Sequence, residues 1–264
     1  MRADHPITQG LLHPRWIVSA ALLLLSALAW VLLMQDPAGL GCLTPLGQTP
    51  HDVHGPLAQP SSLSHFLTAL SMWFLMSIAM MLPTAAPAIL TFSDLAERAR
   101  HTARPLSEGA FVMGYLMAWL AFDLLACSAQ LALALASSRL HSATHALAFG
   151  CLLVLAGMYQ FAPLKQACLT KCRNPMTFFL AHWREGTIGA LRLGLHHGAY
   201  CVGCCWALML VMVATGTMNL GLTAGLAVLM LAEKVLPGGL WIGRIVGVGL
   251  MAWGILWIAP GLIY

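Results

Sequence analysis

Charge is what this sequence has least of. Only 8% of its 264 residues are Asp, Glu, Lys or Arg, against about a quarter in an ordinary soluble domain. Hydrophobic residues make up 59%, and mean hydropathy is +0.81. That shortage excludes a soluble globular protein, a disordered tail and a nucleic-acid-binding domain. Other signatures are missing too: a phosphate-binding glycine loop, an internal repeat, a low-complexity tract, the zinc-protease H-E-x2-H and any Ser/His/acid grouping for hydrolysis. Beta structure is disfavoured because an open sheet edge cannot face lipid. No catalytic residue is assigned and no enzyme is expected. What the chain does have is 15 Met, 8 Cys and 11 His.

A helix needs about 20 apolar residues to cross a bilayer. Seven stretches qualify, at 16–34, 65–92, 109–136, 142–163, 195–216, 220–236 and 245–263. The sixth is short and Gly-interrupted, so six spans is the fallback. The fold class is therefore all-α, a polytopic transmembrane bundle. Residues 1–64 form an N-terminal span with an outer loop, and 65–264 form the main membrane domain. The first span has a basic start and an Ala27-Leu28-Ala29 that looks like a signal-peptidase site, but its apolar run continues to Met34 and reads as an uncleaved helix. Basic residues set the orientation. With the N-terminus in the cytoplasm of a bacterial inner membrane, 12 of the 13 Lys and Arg lie inside and only Arg139 lies outside. The largest inner loop is 164–194 and the largest outer loop is 35–64.

The fifth span carries the densest chemistry: His196, His197, Cys201, Cys204, Cys205, Met209 and Met212. His197, Cys201, Cys205, Met209 and Met212 share one helical face. Thiolates and thioethers select soft ions, Cu(I) first and zinc second. The second span has Met72, Met76 and Met80 at the same spacing, followed by Pro83 and Pro87, which are expected to kink or break the helix. If the fourth helix runs past Pro163, Cys168 and Cys172 share a face on the same membrane side as the fifth-span cysteines. The expected metal ligands are therefore Cys168, Cys172, His196, His197, Cys201, Cys204, Cys205 and Met209, with Met72, Met76 and Met80 as weaker stations. Asp123, near the centre of the third span, is a possible intramembrane polar site, with the Cys/Met face or Gln160 as candidate partners. His51, His54, His65, His141 and His145 read as solvated outer residues, and Cys127 and Cys151 as core cysteines.

Several motifs occur together. They are Met72-Trp-x2-Met-x3-Met-Met-Leu-Pro83, Gly157-x-Tyr159-Gln160-x2-Pro163-Leu-Lys165-x2-Cys168-Leu-x2-Cys172-Arg173, Trp183-Arg184-x-Gly186, Gly194-x2-His197-Gly-x-Tyr200-Cys201-x-Gly203-Cys204-Cys205-Trp206, Gly216-x-Met218-Asn219 and Glu233-Lys234-x2-Pro237-x-Gly239. From about Met72 to Gly249 the chain resembles a widespread bacterial family of predicted metal-binding integral membrane proteins, a domain of unknown function. The resemblance implies a multi-span inner-membrane protein with a metal site and no established reaction.

Three functions stand open on these residues. One is a membrane protein that moves, buffers or delivers Cu(I). A second is a thiol–disulfide oxidoreductase using Cys201-x2-Cys204 at a helix start, where the helix dipole would favour the thiolate. The third is an assembly factor for a membrane metalloenzyme. The partners expected are the lipid bilayer, a metal ion and a metalloenzyme or metallochaperone, with no nucleic acid.

Overall fold

The computed structural model describes residues 14–35, 63–98, 104–137, 142–215 and 220–263, and all its regular structure is helical. Backbone amides in an apolar chain have no water to bond, so each segment satisfies its own groups internally. The described helices are α1 (Pro14–Gln35), α2 (Leu63–Arg98), α3 (Arg104–Ser137), α4 (Ser142–Tyr159), α5 (Pro163–Arg173), α6 (Pro175–His182), α7 (Gly186–Thr215), α8 (Leu220–Val235) and α9 (Gly239–Ile263). Five are long and apolar enough to cross a membrane: α1, α2, α3, α7 and α9. Helices α4 and α5, bent by 60° to one another, pass the same test only when taken together as one broken span. Helix α8 covers the stretch read as the sixth span, but its 16 residues reach only about 24 Å, short of the hydrocarbon core of about 30 Å.

The expected inner loop at 164–194 is instead α5, α6 and the start of α7. Pro163 and Pro175 each open a helix, where a missing N–H costs nothing. Ala162, ahead of Pro163, is extended, as a residue preceding proline prefers, and there the chain bends.

Pro83 and Pro87 do not break α2, which runs unbroken for 36 residues. Pro83 has no N–H for the Ala79 carbonyl, and the Ser26 hydroxyl of α1 donates to that carbonyl at 2.9 Å. A neighbouring helix thus replaces the lost bond. Arg15 and Asp94 pair at 3.3 Å, joining the start of α1 to the end of α2.

The closest packing is between α3 and α7. A Cβ on Gly194 would run into the Phe111 carbonyl, and one on Gly198 would lie 2.9 Å from the Tyr115 carbonyl. This small-x3-small pair lets the two backbones touch and sets Tyr115 against the middle of α7. Phe92, Phe111 and Phe179 close the core beside it, with Phe92 and Phe111 stacked at 4.7 Å. Trp73, Met76, Met80 and Trp119 are fully buried, while Leu23, Leu24, Leu125, Ile245 and Leu256 face outward.

Candidate metal centre

Helix α7 begins at Gly186, four turns before Cys201. Cys201, Cys204 and Cys205 therefore lie in mid-helix and not at a helix start, and the dipole argument for a reactive thiol fails because that effect fades within the first turn. All three are buried. The Cys204 and Cys205 thiols donate to the Cys201 carbonyl at 3.1 and 2.8 Å, the back-bonding that polar side chains make one turn along a helix.

The Cys201 sulfur is surrounded by polar groups from other helices. Lys234 Nζ of α8 donates to it at 2.9 Å, and the Tyr115 hydroxyl of α3 lies 3.1 Å away. Lys234 also donates to Thr84 Oγ1 at 2.9 Å, and Tyr115 to the Met81 carbonyl at 3.0 Å. Cys172 Sγ of α5 lies 4.0 Å from Cys204 Sγ, and Cys205 Sγ lies 3.9 Å from the Met81 thioether. Gly203 leaves room for Cys168, whose sulfur would sit 2.8 Å from an added Cβ. Five helices thus bring five cysteine sulfurs, one thioether, one ammonium and one phenol together, with Cys172 half-buried and the other cysteines buried.

A second buried polar set fixes α8 beside α5. Lys165 donates to Glu233 at 2.8 Å and also to Gln160 Oε1. Arg173 donates to the carbonyls of Glu233 and Leu236 at 2.8 and 2.7 Å, covering the open C-terminal end of α8 as basic groups do. Glu233 faces Lys165 while its neighbour Lys234 faces α7.

The expected ligand set is therefore divided. Cys168, Cys172, Cys201, Cys204 and Cys205 meet. His197 is buried one turn before Cys201 with Nδ1 unpartnered, its ring set among Phe111, Tyr115 and Phe178. His196 points away and is exposed, its ring 4.8 Å from that of His182. Met209, Met72, Met76 and Met80 lie in the apolar core. The α2 sulfur that reaches a cysteine belongs to Met81. Among the described residues, no three or more His, Cys, Asp or Glu are arranged to hold a metal ion.

Asp123 is fully buried, and its partner is neither Gln160 nor the cysteine face. Ser77 donates to Oδ1 at 2.8 Å, and Oδ2 has no partner. Cys127 is buried, whereas Cys151 is exposed and not a core residue. The loop residues His51, His54 and His141 lie outside the described residues, as do the side chains of His65 and His145.

Lys234, Tyr115, Thr84 and Met81 were not among the expected site residues. Lys234 carried a signal: a charge within an apolar helix has to find a partner. Tyr115 carried none.

No curated protein and no solved structure matches the chain. The family model PpoB2, described as copper chaperone, matches residues 70–257. That span includes every described cysteine, with Lys234, Tyr115 and Met81, and it overlaps most of the motif set above. The chain belongs to the PpoB2 copper chaperone family.

Proposed function

We propose that the protein is a membrane-embedded chaperone that takes Cu(I) as cargo on the thiols of half-buried Cys172 and buried Cys204, beside Cys201, and passes it to a metalloenzyme or metallochaperone. The apolar exterior of α1 and α9 favours insertion in a bilayer. The distribution of basic residues favours a bacterial inner membrane with the N-terminus in the cytoplasm.

The observation that carries this reading is the 4.0 Å separation of the Cys172 and Cys204 sulfurs across α5 and α7, beside a Cys201 sulfur held by Lys234. A metal–thiolate bond of about 2.3 Å puts two sulfurs on one ion between about 3.8 Å (tetrahedral) and about 4.6 Å (linear) apart. Thiolate and thioether donors select Cu(I), and such donors reach one another here from three helices. Zinc favours a closed four-ligand set, which these residues do not form. Cu(I) on two thiolates carries one net negative charge, and the Lys234 ammonium offsets it in a place where an unbalanced charge would be costly.

Elemental analysis of protein purified in detergent under anaerobic reduction tests the reading. Wild type is expected to hold close to one copper per chain. Cys201→Ser/Cys204→Ser/Cys205→Ser is expected to retain less than about a tenth of that. Equal copper in both overturns it.

The thiol-exchange reading keeps one supporting observation, the same Cys172–Cys204 approach across two helices. It predicts a Cys172–Cys204 disulfide after mild oxidation, detected by peptide mapping. Thiols that stay reduced and lose only copper exclude it.

A further inference from the structure

Four of the five clustered cysteines are buried and Cys172 is half-buried, so an incoming ion must be guided to them. The end of α6 and the first half of α7 frame a groove of about 500 Å³, lined by His182, Trp183, Arg184, Arg192, Leu193 and His196. A concavity of this size accepts a small molecule. Two of its lining residues are imidazoles. His196 is exposed, His182 half-buried, and their rings stand edge to face with centroids 4.8 Å apart.

The tautomer of His182 follows from its partner. Its Nδ1 lies 2.9 Å from the Phe178 carbonyl. A carbonyl only accepts, so Nδ1 carries the hydrogen and Nε2 keeps its lone pair. A histidine whose other nitrogen donates to a backbone carbonyl is arranged as metal-binding histidines usually are. His196 precedes the buried His197, whose Nδ1 has no partner, and Cys201 lies one turn further along α7. Both histidine rings of α7 pack against Phe178, His196 at 5.6 Å on the groove side and His197 at 5.4 Å on the core side. Arg184 and Arg192 add positive charge at the mouth of the groove.

We infer that His182 and His196 form a Cu(I) acceptance site in this groove, taking the ion from a small anionic Cu(I)–thiolate complex and handing it to the buried cysteines. This rests on the copper reading above. The step is ligand exchange. Cu–S bonds to the carrier break and Cu–N bonds to the imidazoles form. The carrier thiolate leaves with its electron pair, and copper stays Cu(I). Two nitrogens suffice because the ion is only in transit. Arginines are suited to a carrier bearing carboxylates, which they bind in bidentate fashion.

The test uses the full chain in detergent, anaerobic, with Cu(I) supplied as its glutathione complex. Loading is followed by near-ultraviolet Cu–thiolate absorbance, and the endpoint by copper per chain. His182→Gln/His196→Gln is expected to slow loading at least tenfold while the endpoint stays at the wild-type value. A rate within twofold of wild type overturns the inference. A second arm keeps both histidines: one equivalent of Ag(I), a redox-inert surrogate, is added to the Cys201→Ser/Cys204→Ser/Cys205→Ser chain. The imidazole resonances of His182 and His196 should then shift in NMR spectra, and unshifted resonances overturn the inference. If the paired variant folds poorly, this arm decides. If the cysteine variant loses copper while the histidine variant loads normally, the histidine site alone falls. If the cysteine variant keeps its copper, the thiol site falls.

Discussion

Lys165 and Lys234 are both buried and lie on neighbouring elements, yet they meet different partners. Lys165 is paired with a carboxylate, Glu233 at 2.8 Å, and further held by Gln160. Lys234, the next residue after Glu233, has no carboxylate partner among the described residues. Its bonds go to the Thr84 hydroxyl and the Cys201 sulfur, each at 2.9 Å. The first arrangement is matched in charge, a cation against an anion, although Glu233 Oε1 and Gln160 Nε2 have no partner among the described residues. The second is open: its acceptors are a hydroxyl and a sulfur, and the sulfur is the same kind of atom that would bind a soft metal. A buried charge pair of the first kind holds helices in register; one of the second kind ties the electrostatics of the site to what the sulfur carries.

Five variants break or sharpen this contrast. The largest effect is expected at the charge-matched pair. Lys165→Met alone leaves Glu233 buried and unpaired, which should lower stability by about 3–5 kcal/mol. Lys165→Met/Glu233→Gln should recover most of that loss, as read by thermal unfolding in detergent. If the double variant is no more stable than the single one, the pair is not a charge-matched unit.

Lys234→Met should act on copper more than on folding. Copper affinity is expected to fall about tenfold or more, equivalent to about 1.4 kcal/mol, in a competition titration against a Cu(I) chelator. Unchanged affinity together with a stability loss as large as that of Lys165→Met would erase the distinction between the two lysines.

Tyr115→Phe removes the hydroxyl 3.1 Å from Cys201 and its bond to the Met81 carbonyl. A stability loss of about 1 kcal/mol is expected, with copper affinity lowered a few-fold. The smallest effect is expected on the methionine stripe. Met72→Leu/Met76→Leu/Met80→Leu keeps volume and polarity, so each change should cost less than about 1.5 kcal/mol and leave copper per chain unchanged. Loss of copper in that variant would make the stripe a metal station after all.

The contrast between the methionine stripe and the cysteine cluster shows where sequence reading stops. Both have helical spacing, and both lie in helices long enough to span a membrane. Spacing assigns residues to a face but not to a neighbour. On α2 the thioether that meets a cysteine is Met81, one residue off the stripe at Met72, Met76 and Met80. His196 and His197 are adjacent in sequence, but one helical step separates them by about 100°. One faces the groove and the other the core. Asp123 was legible as a buried acid, but its Ser77 partner lies on another helix, and no local pattern names it.

The sequence by itself determined the class. Scarce charge and long apolar runs dictate helices that satisfy their own backbones, and the cysteines at 201, 204 and 205 mark α7 as a helix dense in soft donor atoms. The tertiary structure decided the rest. Pro163 and Pro175 turn the stretch read as a loop into α5 and α6, which carry Cys172 toward Cys204 and His182 toward His196. Gly194 and Gly198 let α3 approach until Tyr115 reaches Cys201, and the Lys165–Glu233 pair holds α8 where Lys234 meets the same sulfur. Helix periodicity is a local property readable from a few residues. Which faces meet depends on packing many helices at once, with every buried polar group requiring a partner.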